Sequence, residues 1–281
     1  MFRKPRLTPG WVFTYIFMGA LVCFTMLPIV YMISTAFKPM DELFLFPPEF
    51  FVRRPTLRNF YDLLTALSSF TVPFSRYLFN SLFTTTATVL GTLIISSFGA
   101  YALSKFKLPG ANTMFNIIIA ALMFSPQVTQ IPTYLLISKM GLVNTYWALI
   151  LPKIAVAYNI FLMKQFIDQI PDSLIEAARI DGANEWEIFW KVVMPTCKPA
   201  WSTLIVFSFV SNWNDYFSPL VFTTSEQMKN LTLAIQTIGT SIARSGAMAA
   251  ATFLMTMPTI IIFVIMQKKV MDTMIYSGIK S

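Results

Sequence analysis

Four stretches of this sequence run for more than twenty residues without a charged side chain: Leu7 to Phe37, Tyr77 to Ser104, Leu108 to Ser138 and Ser245 to Gln267. A helix needs about 20 mainly apolar residues to cross the hydrocarbon of a bilayer, and only a helix satisfies its own backbone polar groups there segment by segment. Two further stretches qualify with one internal charge each, Met140 to Met163 with Lys153 and Pro199 to Ser225 with Asp215. The expectation is an all-α membrane protein with six transmembrane helices, at about 11–37, 77–104, 112–138, 142–163, 199–222 and 245–267, forming one domain over 1–281. Composition agrees: 56% of the 281 residues are hydrophobic and 12% are charged, and the mean hydropathy is +0.63. Arg3, Lys4 and Arg6 ahead of an apolar run imitate a secretory signal. The run is too long for a signal core and lacks a small-residue cleavage site, so it reads as a retained first span.

Lys and Arg gather on the cytoplasmic side of short loops. One side of a six-span chain receives Arg3, Lys4, Arg6, Lys105, Lys107, Lys164, Arg179, Lys191, Lys198, Lys268, Lys269 and Lys280, twelve in all, against eight on the other. Five of those eight lie in the long, partly acidic segment after the first span. This bias puts both termini in the cytoplasm, segments 38–76 and 226–244 outside with a short turn near Lys139 to Gly141, and the loop 164–198 inside.

Several functions are excluded by what the chain lacks. With no histidine, Ser-His-Asp and Cys-His catalysis and histidine-based metal sites and proton relays are gone. The two cysteines, Cys23 and Cys197, have neither metal-ligand nor redox spacing and read as buried thiols. No paired carboxylates or Ser-Lys set recur at one depth to supply an acid with a base. The net charge of +8 resides mostly in short tracts flanking apolar runs, which is a topology pattern and not a nucleic-acid surface. Prolines 28, 126, 132, 152, 219 and 258 fall in or near spans and predict kinks. Small residues such as Ser96, Gly99 and Ala100, or Gly246, Ala247, Ala249, Ala250 and Ala251, predict close helix packing.

The loop from Ile170 to Pro195, IPDSLIEAARIDGANEWEIFWKVVMP, differs from the rest of the chain. Ser173 with Glu176 forms a capping-box pattern, and Leu174 to Asp181 makes two turns ended by Gly182, which readily takes a left-handed conformation. Asn184 with Glu187 repeats the start signal for a second helix to about Val193, before Pro195. In the first helix Ala177 and Ala178 let another surface approach the backbone, and Glu176 near the N-terminus suits a cationic partner. Docking into a groove is one reading of this shape. The other is an amphipathic helix whose Leu174, Ile175, Trp186, Phe189, Trp190 and Val193 rest on lipid headgroups.

Glu176-Ala177-Ala178, then Gly182, then Val192, Met194 and Pro195 resemble the cytoplasmic signature of permease subunits of ATP-binding-cassette importers: EAA, three residues, Gly, nine residues, I-x-L-P. The first half matches fully and the second carries conservative changes with the spacing intact. Gly141 to Pro152 (GLVNTYWALILP) and Trp213 to Tyr216 (WNDY) look like the carbohydrate-uptake branch, specifically its smaller six-span, maltose-permease-like subunit. The resemblance implies a type I importer permease in the cytoplasmic membrane of a bacterium or archaeon. Its partners would be a second homologous permease, a dimeric cytoplasmic ATPase that holds the ATP and Mg, and an extracytoplasmic solute-binding protein delivering a sugar. In such a permease Glu176, Ala177, Ala178, Arg179, Asp181 and Gly182 form the coupling helix and its end, and Gln236 to Ser245 meets the binding protein. This chain, with no G-x-x-x-x-G-K-[ST] phosphate loop, binds no cofactor of its own.

Ionisable residues inside spans are functional candidates by default. Lys153 meets an anionic sugar, or a carboxylate of the partner permease, or a wet gap in the interior. Asn212, Trp213, Asn214, Asp215 and Tyr216 form the densest polar-aromatic cluster. On a continuous helix Trp213 with Tyr216 and Asn212 with Asp215 are i, i+3 pairs that offer aromatic faces and hydrogen bonds to a sugar. Interfacial anchoring at a helix end is the alternative. The competing functional class is a secondary transporter driven by an ion gradient, which would usually want intramembrane carboxylates for coupling or inverted repeats.

Overall fold

A computed structural model describes residues 9–68, 71–237 and 245–278. Arg3, Lys4, Arg6, Arg244 and Lys280 of the charge argument, and 238–244 of the expected binding-protein contact, lie outside the described residues. The described chain is helical, without a strand. In order come α1 (Pro9–Phe37), α2 (Met40–Leu43), α3 (Arg58–Ser68), α4 (Phe74–Lys105), α5 (Ala111–Ala121), α6 (Pro126–Lys139), α7 (Tyr146–Ile154) and α8 (Ala157–Ile167). They are followed by α9 (Asp172–Ile180), α10 (Glu185–Ile188), a π-helical turn Phe189–Val193, α11 (Met194–Thr196), α12 (Lys198–Trp213) and α13 (Phe217–Phe222), then a 3-10 turn Glu226–Met228, α14 (Leu231–Thr237) and α15 (Ser245–Gly278).

Among the described residues α1, α4 and α15 are each long and apolar enough to cross a bilayer, and three bent helix pairs raise the number to as many as six. The third apolar stretch is two helices, α5 and α6, set at 110°. Ser125 precedes Pro126 and is extended at φ −65°, ψ 138°, because the proline ring disfavours helical backbone in the residue before it. The fourth bends by 42° between α7 and α8, not at Pro152, which stays inside α7, but after it at Ala155. The fifth stops at Trp213. The third pair joins α12 to the helix Glu185–Thr196 at 79°.

The chain forms two compact units. Of the described residues the first holds 9–68 and 245–256. In it the buried Asn59 amide donates to the carbonyls of Ala36 (3.0 Å) and Lys38 (2.7 Å), closing the C-terminal end of α1 onto α3. Phe37, Phe60 and Phe253 pack ring against ring at 5.2–5.8 Å. Ala247, Ala250 and Ala251 of the small-residue run are buried, and Gly246 lies against the Asn59 side chain with no room for a Cβ.

The second unit, 70–237 and 257–281, is organised around α4, against which α7, α8 and α12 pack. One face of α4 is buried and polar: Asn80, Ser81, Thr84, Thr85, Thr88, Thr92, Ser96 and Ser97. Small hydroxylated side chains permit close backbone approach, as in membrane helix pairs generally. A close approach is at Gly91, where an added Cβ would sit 2.8 Å from Ile154 Cγ2 of α7.

Gly91→Val should therefore destabilise the protein by about 1–3 kcal/mol, the range for overpacking a filled interior. Thermal unfolding in detergent, compared with Gly99→Val, where nothing lies within 4 Å of an added Cβ, measures it.

Candidate functional site

The segment 170–196 folds as a helix, a tight turn and a second helix. α9 begins two residues earlier than the capping-box pattern indicates. Pro171 is its N-cap at φ −59°, ψ 135° and no side chain caps it. Ser173 lies inside the helix, because the proline ring fixes φ at the entry and Asp172 supplies the negative charge favoured in the first turn. The C-terminus follows the expectation. Gly182 sits at φ +87°, its amide donates to the Arg179 carbonyl (3.1 Å), and the Ala183 amide donates to Ala178 (3.0 Å), the pair of bonds that closes a helix through a left-handed residue. Asn184 then starts the second helix with a reciprocal capping box: the Glu187 amide donates to Asn184 Oδ1 (2.9 Å) and the Asn184 amide to Glu187 Oε2 (3.2 Å). This helix does not stop near Val193. A widened turn, in which the Met194 amide donates to Phe189, carries it past Pro195 to Thr196.

The motif is fastened to the last turn of α4. Lys105, with a side chain only 6% exposed, donates to the Ile170 carbonyl (2.6 Å) and to Asp172 Oδ1 (2.8 Å). Glu185 accepts from Arg179 Nε (2.8 Å) on one oxygen and from the Tyr101 hydroxyl (2.8 Å) on the other. The Arg179 hydrogen bond holds the Glu185 carboxyl below its ordinary pKa, with Tyr101 adding to it against desolvation. Lys105 does the same for Asp172. Between these points Ile175 is buried with Ala100, Tyr101, Ile167, Ile188, Phe189, Val193 and Leu204, and Phe189 stacks on Phe98 at 4.3 Å. Ile175, Phe189 and Val193 thus pack into protein and are not available to lipid headgroups. Leu174, Trp186 and Trp190 remain exposed.

On the opposite side of α9, Glu176, Ala177, Asp181 and Gly182 are exposed, Ala178 is half-buried, and Arg179 is exposed but engaged by Glu185. The pattern reading missed Ile180, which is 86% exposed beside them. An isoleucine at the end of an amphipathic helix was its available signal.

Lys153 and Asp215, singled out separately in the sequence, are bonded to each other: Lys153 Nζ donates to Asp215 Oδ2. Neither of the external partners considered for Lys153 is needed to satisfy its charge. Asp215 Oδ1 accepts the amides of Phe217 (3.0 Å) and Ser218 (3.2 Å), which starts α13. The helix break at Asn214 to Tyr216 removes the i, i+3 register, so the expected pairs do not form on one helical face. Trp213 is buried and stacks on Phe209, Tyr216 and Asn214 are exposed, and Asn212 lines a small polar cavity with Thr84, Thr88, Lys153 and Asn230.

Three polar anchors escaped the sequence reading. Asn80, fully buried, donates to the Gln227 and Lys229 carbonyls (2.8 and 2.7 Å) and accepts from the Tyr146 hydroxyl (2.8 Å). Ser81 accepts the Leu231 amide (2.8 Å). Asn144, at φ +64°, accepts the amides of Thr224 and Ser225 (3.0 and 2.9 Å). Together they pin the segment 223–231 to α4 and α7. An amide inside an apolar span was the signal at Asn80.

A profile of the family described as "Binding-protein-dependent transport system inner membrane component" matches residues 7–272. A putative ABC transporter permease of Caldicellulosiruptor sp. (strain Rt8B.4) is 32% identical over 279 residues, covering 97% of this chain and 98% of that protein. An arabinooligosaccharides transport system permease of Halalkalibacterium halodurans is 29% identical over 288 residues, covering 100% of both. A chain in the crystal structure of a bacterial ABC transporter involved in the import of the acidic polysaccharide alginate superposes with a TM-score of 0.81 at 24% identity, covering 94% of this chain and 99% of that one. That likeness establishes the fold.

Removing one member of the Lys153 and Asp215 pair, as in Lys153→Met or Asp215→Asn, should cost about 2–4 kcal/mol, because it strands a largely buried charge, and the double replacement should cost less than either. Thermal unfolding of the three variants decides this. The lowered pKa values of Glu185 and Asp172 mean that their contribution is fully present above the ordinary carboxylate range and is lost as pH falls through the lowered values. Hydrogen exchange over 170–185 should accordingly quicken below about pH 4 beyond the change seen over α4, and should lose that pH dependence in Glu185→Gln with Asp172→Asn.

Proposed function

We propose, because this chain belongs to the family of binding-protein-dependent transport system inner membrane components, that it is the six-span permease subunit of an ATP-driven importer of sugars or oligosaccharides. The observation that carries the reading is α9: its back is locked into the protein while Glu176, Ala177 and Gly182 face outward. A helix held in this way can receive a push from a second protein without yielding locally. The occupant of the exposed face is a groove of a dimeric ATPase, which binds the ATP and Mg. A second homologous permease completes the pathway, and an extracytoplasmic binding protein delivers the substrate.

The names of the arabinooligosaccharide and alginate relatives support carbohydrate as the substrate class. Within the chain, Asn212, Asn214 and Tyr216 beside the Lys153 and Asp215 pair are the residues placed to meet a sugar, with Trp213 as their buried support. On this reading the termini and the loop 164–198 are cytoplasmic, and ATP-driven closure of the ATPase switches the permeases between inward-facing and outward-facing states. Each state is favoured only to the extent that a ligand binds it more tightly.

Uptake of the cognate sugar by proteoliposomes should require ATP and the ATPase. Gly182→Val, which places a β-branched side chain at positive φ, and Glu176→Lys should each lower uptake about tenfold, the factor given by ~1.4 kcal/mol, while the protein stays in the membrane. Uptake that persists without any ATPase, or normal uptake by both variants, contradicts the proposal.

A further inference from the structure

Tyr101 and Lys105 are four residues apart on α4 and therefore share a face. Lys105 grips the entry to α9 through the Ile170 carbonyl and Asp172. Tyr101 grips its exit through Glu185 and Arg179. α9 and the following helix also meet α8 and α12, through Ile167, Met163, Ala200 and Leu204 of the apolar cluster and through Trp201 Nε1, which donates to the Met194 carbonyl (3.1 Å), and the chain itself joins them to both helices. Apolar contact is non-directional and tolerates sliding, whereas charge-assisted hydrogen bonds fix geometry. A displacement of α9 therefore loads its bonds to α4 at both its entry and its exit.

We propose that Tyr101, Lys105 and Glu185 are positioning residues that make α4 the member through which movement of α9 reaches the membrane-spanning helices. This rests on the coupling reading above and adds the route. α4 continues the route inward. Further along it Thr92 donates to the Lys153 carbonyl (3.2 Å) and Gly91 abuts Ile154, so turning or tilting α4 acts on α7 where Lys153 meets Asp215. At its far end Asn80 and Ser81 hold the segment 227–231.

The test uses the whole importer complex, with Cys23 and Cys197 replaced and Ser75→Cys introduced. Ser75 is exposed in the first turn of α4, the end remote from α9. The readout is the rate at which a water-soluble maleimide labels this position with and without ATP. ATP should change the rate, and Tyr101→Phe, Lys105→Met and Glu185→Gln should each shrink the ATP-dependent change by about threefold to tenfold, the bias carried by one hydrogen bond of ordinary net strength, with the ATPase still co-purifying. Tyr101→Phe combined with Glu185→Gln should be no worse than the stronger single variant, because both act on one bond.

An ATP effect that is unchanged in all three variants overturns the proposal, as does no ATP effect in the parent or loss of the ATPase from the variants. Glu176→Lys separates the two levels. If it abolishes the ATP effect while the three α4 variants leave it intact, docking stands and the route through α4 falls. If Glu176→Lys leaves it intact, the coupling reading itself falls.

Discussion

A backbone amide or carbonyl without a partner in hydrocarbon is so costly that a chain in the membrane stays helical wherever lipid can reach it. This chain breaks its helices all the same, and between 215 and 231 side chains take up the freed backbone groups. Asp215 takes the amides of Phe217 and Ser218. Asn144 takes those of Thr224 and Ser225. Asn80 takes the Gln227 and Lys229 carbonyls. Asn80 stands on α4, whose buried polar face lets backbone come close.

Ion pairs play unequal parts in this arrangement. Arg58 with Asp62 and Lys191 with Glu187 are exposed i, i+4 pairs and add little. Lys105 with Asp172 and Lys153 with Asp215 each place a buried or largely buried cation against its carboxylate. In such a setting the pair is valuable less for net stability than for the penalty on leaving it. Both pairs join separate helices. One lies at the motif 170–196 and the other at the break after α12.

The apolar runs were legible because charge-free length is a local property: α1, α4 and α15 lie where the uncharged stretches lie. The turn at Gly182 and the capping box at Asn184 were legible for the same reason, since both are decided within six residues. The Ser173 cap was misread because a proline two positions before it already fixes the helix entry. The 110° angle between α5 and α6 was read as a kink, because a proline marks the site of a break but not its size. Lys153 and Asp215 were each visible as expensive residues, yet their 62-residue separation hid the fact that each satisfies the other. Asn80, Ser81, Asn144 and the grip of Tyr101 and Lys105 on α9 depend on contacts between distant segments, which no periodicity reports.

The central claim is that the exposed face of α9 lies in the cytoplasm against an ATPase. A single cysteine at Ala177, in a chain with Cys23 and Cys197 replaced, tests it by chemistry from each side of the membrane. The account predicts that a membrane-impermeant maleimide leaves this cysteine unlabelled in intact cells, and that in inside-out vesicles it reacts and crosslinks to the ATPase subunit. Labelling from outside intact cells, or ready access in inside-out vesicles with no crosslink to an ATPase, would contradict it.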